Sequence, residues 1–193
     1  MVSKYLLTTY YLKLITSLKP ILTAQQLSIT VRRLAQQVLE DHIDLENTVI
    51  IGLQPRGIYL SDKIVAEIGK EIPMEQVKYG QLDITFYRDD VRNQLHIANA
   101  TNIPFSIEGK KVVLIDDVLF TGRTIRAALD ALLDFGRPQK VELCVLIDRR
   151  FSRELPIQPN YVGRSVDALV SQKIKVFWQD KDGKDEVALL ENE

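Results

Sequence analysis

Residues Val112–Thr124 read V-V-L-I-D-D-V-L-F-T-G-R-T, and this stretch decides the fold. Val112, Val113, Leu114 and Ile115 form a continuous apolar run, the pattern of a strand buried on both faces. Asp116 and Asp117 stand where that strand is expected to end, and Val118-Leu119-Phe120 leads into Thr121-Gly122-Arg123-Thr124. A helix is expected next, because Ile125, Ala128, Leu129, Leu132 and Phe135 recur on one face. Gly136 stops it and Pro138 prevents its resumption. Backbone N–H groups of the Thr/Gly turn and of the first helical turn then point at one spot, where the helix dipole favours an anion. Carboxylates repel phosphate, so the acidic pair must serve another part of the same ligand. Asp116 and Asp117 can accept hydrogen bonds from vicinal hydroxyls, or help to hold a divalent cation, while the turn takes a 5′-phosphate. A phosphorylated ribose satisfies both demands.

Composition sets the frame around this stretch. A chain of 193 residues with 46% hydrophobic content supports one well-buried domain. A net charge of −1 excludes a bulk nucleic-acid binder and leaves room for a local basic patch. The single cysteine, Cys144, lies in the apolar run Val141–Ile147 and reads as a core residue of a cytoplasmic protein. His42 and His96 have no cysteine nearby, so a zinc site has no support. Tyr5–Leu18 is apolar but interrupted by Lys13 and too short for a membrane span, and no cleavage site follows it cleanly; no membrane association is expected. Residues 1–20 are read as an N-terminal extension, poorly ordered, and 21–193 as a single domain.

Working outward, Thr23-Ala-Gln-Gln26 has capping-box spacing, and Leu22 with Leu27 that of a hydrophobic staple. Leu27, Val31, Leu34, Ala35 and Val38 continue as the apolar stripe of a helix to about Asp41, with Arg32 and Arg33 on its polar face. Thr48–Leu53 is a core strand, Gln54-Pro55-Arg56-Gly57 a break, and Ile58–Gly69 a helix. Val77–Phe86 alternates as a strand, and Arg88–Thr101 is a polar connection whose length marks it as functional or mobile. Gly109-Lys110-Lys111 precedes a strand instead of opening a helix, which rules out a P-loop. Strand–helix–strand alternation implies a right-handed parallel sheet, with ligands beyond the carboxyl ends of its strands, where Arg56 would meet Asp116 and Asp117. Ile174–Trp178 and Glu186–Leu190 flank a turn at Asp180-Lys-Asp-Gly183, whose glycine comes too early for a calcium loop.

The segment D-D-V-L-F-T-G-R-T at 116–124 resembles the phosphoribosyl-diphosphate (PRPP) motif of type I phosphoribosyltransferases. With I-R-A-A-L-D-A-L-L-D-F-G-R-P behind it, it is more narrowly similar to the PyrR family, which combines pyrimidine-operon attenuation with uracil phosphoribosyltransferase activity. L-D-I-T-F-Y-R-D-D at 82–90, Asn102-Ile-Pro-Phe105, D-R-R-F-S-R-E-L-P-I at 148–157 (one residue inserted) and Tyr161-Val162-Gly163 extend the likeness. It implies an α/β chain of the type I phosphoribosyltransferase fold: a parallel central sheet flanked by helices, a small hood built from the terminal parts, and a flexible loop.

The resemblance also implies a reaction: uracil and PRPP give UMP and pyrophosphate, with Mg²⁺ accompanying PRPP. PRPP or nucleotide would be held by Pro55, Arg56 and Gly57, and by Asp116, Asp117, Val118, Leu119, Phe120, Thr121, Gly122, Arg123 and Thr124. Pro55 departs from the family's threonine and removes one N–H donor. Asp116, Asp117 and Arg88 are the catalytic candidates, the aspartates meeting the metal only through PRPP hydroxyls or water, and Arg88 bringing positive charge to the departing pyrophosphate. The base falls to Arg149, Tyr161 and Val162, with Tyr161 stacking and the Val162 backbone reading the base edge. A core aromatic is the alternative for Tyr161.

Pyrimidine-operon leader RNA is a further implied partner, with Arg33, Arg150, Arg153 and Arg164 as candidate contacts. Against it, Ser28–Thr30 stand where the family's first helix tends to carry an arginine pair, and Asp41 where a basic residue is common. A homo-oligomer, dimer or higher, is implied too. Two alternatives stand beside the main reading. A purine-salvage transferase is disfavoured by Phe120, where hypoxanthine-type enzymes carry an acid, and by Asp148, where they carry a lysine. A mainly regulatory RNA-binding protein would use the nucleotide site as a sensor.

Overall fold

A computed structural model describes residues 18–43, 45–88 and 99–190. Most of the expected N-terminal extension (1–17) and of the expected flexible loop (89–98) lies outside the described residues. In chain order the elements are β1 (Leu18–Leu22), α1 (Ala24–Asp41), β2 (Thr48–Leu53), α2 (Gly57–Ile68), β3 (Lys78–Leu82), β4 (Lys111–Leu119), α3 (Arg123–Leu132), β5 (Lys140–Arg149), β6 (Tyr161–Val166), β7 (Lys173–Phe177), α4 (Gln179–Asp182) and β8 (Glu186–Leu190). The chain divides into two units, Ile29–Asp167 and Met1–Ser28 with Ala168–Glu193. No helix among the described residues is long and apolar enough to cross a membrane.

The larger unit is built on a five-stranded parallel sheet in the order β3-β2-β4-β5-β6. Every residue of β2 is buried, as are residues 112–117 of β4 and 142–147 of β5. That is what a sheet covered on both faces demands, and it is why these strands read as unbroken apolar runs. Ile125, Ala127, Ala128, Ala131 and Leu132 of α3 join Val49, Ile51, Val112, Leu114, Leu143 and Val145 in one core. Cys144 is fully buried in β5, and burial pushes its thiol pKa up to about 12, the behaviour of an inert core residue.

The smaller unit is an antiparallel sheet in the order β1-β8-β7. Thr23 caps α1 as its spacing predicts: the Gln26 N–H donates to Thr23 Oγ1 at 3.3 Å and the Thr23 N–H donates to Gln26 Oε1 at 3.0 Å.

Several expectations need correcting. Leu18, Lys19 and Pro20, assigned to an extension, lie in β1 and pair with β8. β3 stops at Leu82 instead of reaching Phe86, and a 3₁₀ turn follows at Thr85–Tyr87. Leu129 is exposed, because the buried face of α3 is centred on its three alanines, Ala127, Ala128 and Ala131, which lie toward the opposite flank. The segment at 180–183 is not a bare turn: α4 is a single helical turn, closed by Gly183 at φ 74°.

At the amino ends of the strands lies a buried polar cluster the sequence reading did not anticipate. His42 Nε2 is 2.6 Å from Glu142 Oε2, and its Nδ1 is 3.1 Å from Thr48 Oγ1. Lys140 pairs with the second Glu142 oxygen. Burial alone would raise the Glu142 pKa, but hydrogen bonds from Lys140 and His42 outweigh it and hold the carboxyl below its usual range. His42→Ala removes the buried hydrogen bonds to Glu142 and Thr48 while Lys140 still pairs with Glu142, so it is expected to destabilise the fold by about 2 kcal/mol in urea unfolding.

Candidate active site

The site begins with a mismatch in strand length. β2 pairs with β4 only from Thr48↔Lys111 to Gly52↔Ile115, whereas β4 runs on to Leu119, paired there with β5 alone. Asp116 and Asp117 therefore lie inside β4 instead of just past its end, at the point where β2 has turned away. The crossover after β2 leads to β3 on one side, and that after β4 leads to β5 on the other. The two connections diverge and leave a crevice between them, the usual ligand position in such sheets.

Both carboxylates are buried, Asp116 to 7% exposure and Asp117 to 8%. The Asp117 N–H donates to Asp116 Oδ1 at 2.9 Å, and Arg56 Nε donates to Asp117 Oδ2 at 3.2 Å. Burial, with the neighbouring Asp117 charge, raises the Asp116 pKa well above the ordinary carboxylate range, against the opposing charge of Arg88. Burial also raises Asp117, against the Arg56 ion pair. Gly57, at the start of α2, lets the Arg56 turn approach this closely: a Cβ there would stand 2.7 Å from the Ile115 carbonyl oxygen and 3.0 Å from Asp116 Cα. The Gln54–Pro55 bond just before is cis.

Beyond the carboxylates, the chain turns through Gly122, at φ 94°, into α3. A cavity of about 220 Å³ opens here, lined by Asp116, residues 118–125 and Arg88. Arg88 Nη1 lies 3.4 Å from Thr124 Oγ1, so the foot of the long connection reaches the first turn of α3. Asp117, Arg56 and Gly57 are tied to this lining, Asp117 as the next residue after Asp116, Arg56 through Asp117 and Gly57 by its packing on Asp116. The Arg149 guanidinium is buried and lies 3.9 Å over the Phe120 ring, which brings it to the same site.

Tyr161 and Val162 do not join them. The register Cys144↔Tyr161 places that segment well before the carboxyl end of the sheet. The Tyr161 ring is buried, its hydroxyl donating to Asp41 Oδ2 at 2.9 Å beside Glu142 and His42, and burial with these acceptors raises its pKa. It is the core aromatic. The Val162 carbonyl accepts from both terminal nitrogens of Arg33, at 3.3 and 3.2 Å.

Two of the four candidate RNA contacts are likewise committed within the fold. Arg33 holds the Val162 and Gly163 carbonyls, and Arg153, largely buried, bridges Asp148 and the Phe120 carbonyl. Arg150 is exposed but paired bidentately with Asp167, and Arg164 is exposed.

Sequence reasoning missed Asp83. Its buried carboxylate accepts N–H groups from Thr85 and Asn99, both at 2.6 Å, and so joins the two sides of the 89–98 connection. Burial works against its charge, yet these bonds hold its pKa below the usual range. An aspartate two residues before a turn N–H is the legible signal. Gln54 Nε2 donates to the Ala100 carbonyl at 2.8 Å and ties the same connection to the loop after β2. Among the described residues no cluster of three or more metal ligands occurs. Two carboxylates fit the small share that a protein supplies to Mg²⁺ when substrate phosphates and water complete its octahedron.

The family model described as phosphoribosyl transferase domain matches residues 17–180. The bifunctional protein PyrR of Elusimicrobium minutum is 44% identical over 175 residues, which cover 89% of this chain and 96% of that protein. That of Enterococcus faecalis strain V583 is 41% identical, with the same coverage of both. The chain belongs to the PyrR family. This PyrR-family chain also matches the hypoxanthine phosphoribosyl transferase of Trypanosoma cruzi (TM-score 0.68, 16% identity, 89% of this chain and 90% of that one). A Staphylococcus aureus hypoxanthine phosphoribosyltransferase gives a TM-score of 0.63 at 20% identity, over 78% and 79% of the two chains. At these identities the likeness is one of fold.

The buried acidic pair has a measurable cost in this PyrR-family member. A carboxyl whose folded pKa is raised costs stability once pH exceeds its unfolded value, because the unfolded chain ionises first. Asp116→Asn is therefore expected to be more stable than wild type at pH 8, by about 1 kcal/mol or more. In urea unfolding the difference should shrink as pH falls toward 4.

Proposed function

We propose that the chain transfers the 5-phosphoribosyl group of PRPP to uracil, forming UMP and releasing pyrophosphate, and that it also acts as a UMP-responsive, RNA-binding regulator of pyrimidine genes. The observation that carries the enzymatic reading is the convergence of Asp116, the 121–124 turn and Arg88 on one cavity. The turn and the first N–H groups of α3 take the 5′-phosphate. Asp116 and Asp117 accept hydrogen bonds from the ribose hydroxyls and hold the ring beside the developing positive charge at C1. Arg88 and Arg56 supply positive charge to the pyrophosphate as negative charge grows on it. The uracil N1–C1 bond forms as the C1–O bond breaks, and the N1 proton passes to a carboxylate, a water or a pyrophosphate oxygen. Mg²⁺, when bound with PRPP, supplies further neutralisation of the diphosphate.

Uracil is favoured over a purine for two reasons. Phe120 offers no acid to a purine ring proton, and Asp148, already paired with Arg153, offers no donor to an exocyclic oxygen. The regulatory half of the reading rests on the bifunctional PyrR relatives, with Arg150 and Arg164 as the outward-facing candidates for pyrimidine-operon leader RNA. A homo-oligomer in the cytoplasm completes the proposal.

In a panel of bases with PRPP, uracil is expected to turn over fastest; equal turnover of hypoxanthine would reverse the substrate assignment. Asp117→Asn is expected to lower turnover at least about tenfold, or about 1.4 kcal/mol of barrier. Filter binding of leader RNA should strengthen with UMP and fall steeply with salt.

A further inference from the structure

We infer that residues 153–157 are a scaffold that aims the backbone amides of the phosphate turn, with Arg153 as its positioning residue. This rests on the phosphoribosyl reading of the cavity. Phe120, Thr121, Gly122 and Arg123 each meet the scaffold. Arg153 donates one guanidinium nitrogen to the Phe120 carbonyl and another to the Asp148 carboxylate at the end of β5. The N–H groups of Glu154 and Leu155 both donate to the Thr121 carbonyl, at 3.0 and 3.2 Å. Arg123 Nε donates to Glu154 Oε2 at 2.8 Å. A Cβ on Gly122 would stand 3.2 Å from Ile157 Cδ1 and 3.4 Å from Leu155 Cβ, so these side chains pack against that glycine.

Peptide geometry converts these contacts into a function. In a trans peptide the carbonyl of one residue and the N–H of the next point in opposite directions within one rigid plane. Holding the Phe120 carbonyl on Arg153 directs the Thr121 N–H the other way. Holding the Thr121 carbonyl on the Glu154 and Leu155 amides does the same for the Gly122 N–H. Both carbonyls are thereby drawn toward the scaffold, and the two amides of the turn are presented away from it. The planar fork of Arg153 holds its two acceptors in a fixed relative geometry, which the rotating donors of a lysine ammonium do not impose.

Calorimetric titration of PRPP and UMP into wild type, Arg153→Ala and Arg153→Lys, alongside steady-state kinetics and thermal unfolding, tests this. Arg153→Ala is expected to bind both phosphorylated ligands about tenfold more weakly, with KM for PRPP rising and KM for uracil unchanged. Arg153→Lys, which keeps the charge beside Asp148, should fold as wild type does and show a smaller loss of the same kind; it decides the matter if the alanine variant does not fold. Unchanged PRPP and UMP affinity in a folded Arg153 variant, or equal weakening toward uracil, would overturn the inference alone. A wild-type chain that binds no PRPP would overturn the phosphoribosyl reading and this inference with it.

Discussion

Two carboxylates on consecutive residues, buried side by side near the end of one strand, are the constraint on which the rest of the structure depends. Nothing in the economy of a protein core favours them: each resists desolvation and each resists the other. They persist because the surrounding chain is arranged for them. β2 stops short and leaves their side of β4 uncovered by a strand, Gly57 brings the Arg56 turn against them, and Arg56 pairs with Asp117. A glycine, a guanidinium and a difference in strand length are intelligible together only around this pair.

The candidate site consequently has two poles. At one, fixed negative charge awaits hydroxyls or a cation; at the other, the glycine turn and the start of α3 present N–H groups to an anion. Arg88 reaches the anion side from the long connection, and Asp83 with Gln54 fastens the base of that connection to the ends of β3 and β2. Most of the polar groups near the cavity are thus occupied in holding others in place, which is what a preorganised electrostatic site requires.

Much of this was legible in the sequence, for identifiable reasons. The apolar runs of β2, β4 and β5 could only be doubly covered strands, and D-D-V-L-F-T-G-R-T placed acid, turn and helix in an order that geometry then preserved. Register was not legible. Tyr161 sat in a recognisable aromatic-V-G segment, but only its pairing with Cys144 shows that the ring lies far from the carboxyl end of the sheet. Leu129 failed because a helix face crowded with alanines can rotate its larger residues outward. Arg153 looked like surface charge, because a guanidinium that caps a carbonyl leaves no mark in composition. The capping box at Thr23 succeeded because its partners lie three residues apart.

The most direct measurement of the central claim is a crystal structure of the chain with UMP bound. The account places the 5′-phosphate against the amides of residues 121–124 and the ribose hydroxyls within hydrogen-bond distance of Asp116 and Asp117. A nucleotide lodged elsewhere, with these carboxylates facing no sugar, would contradict it.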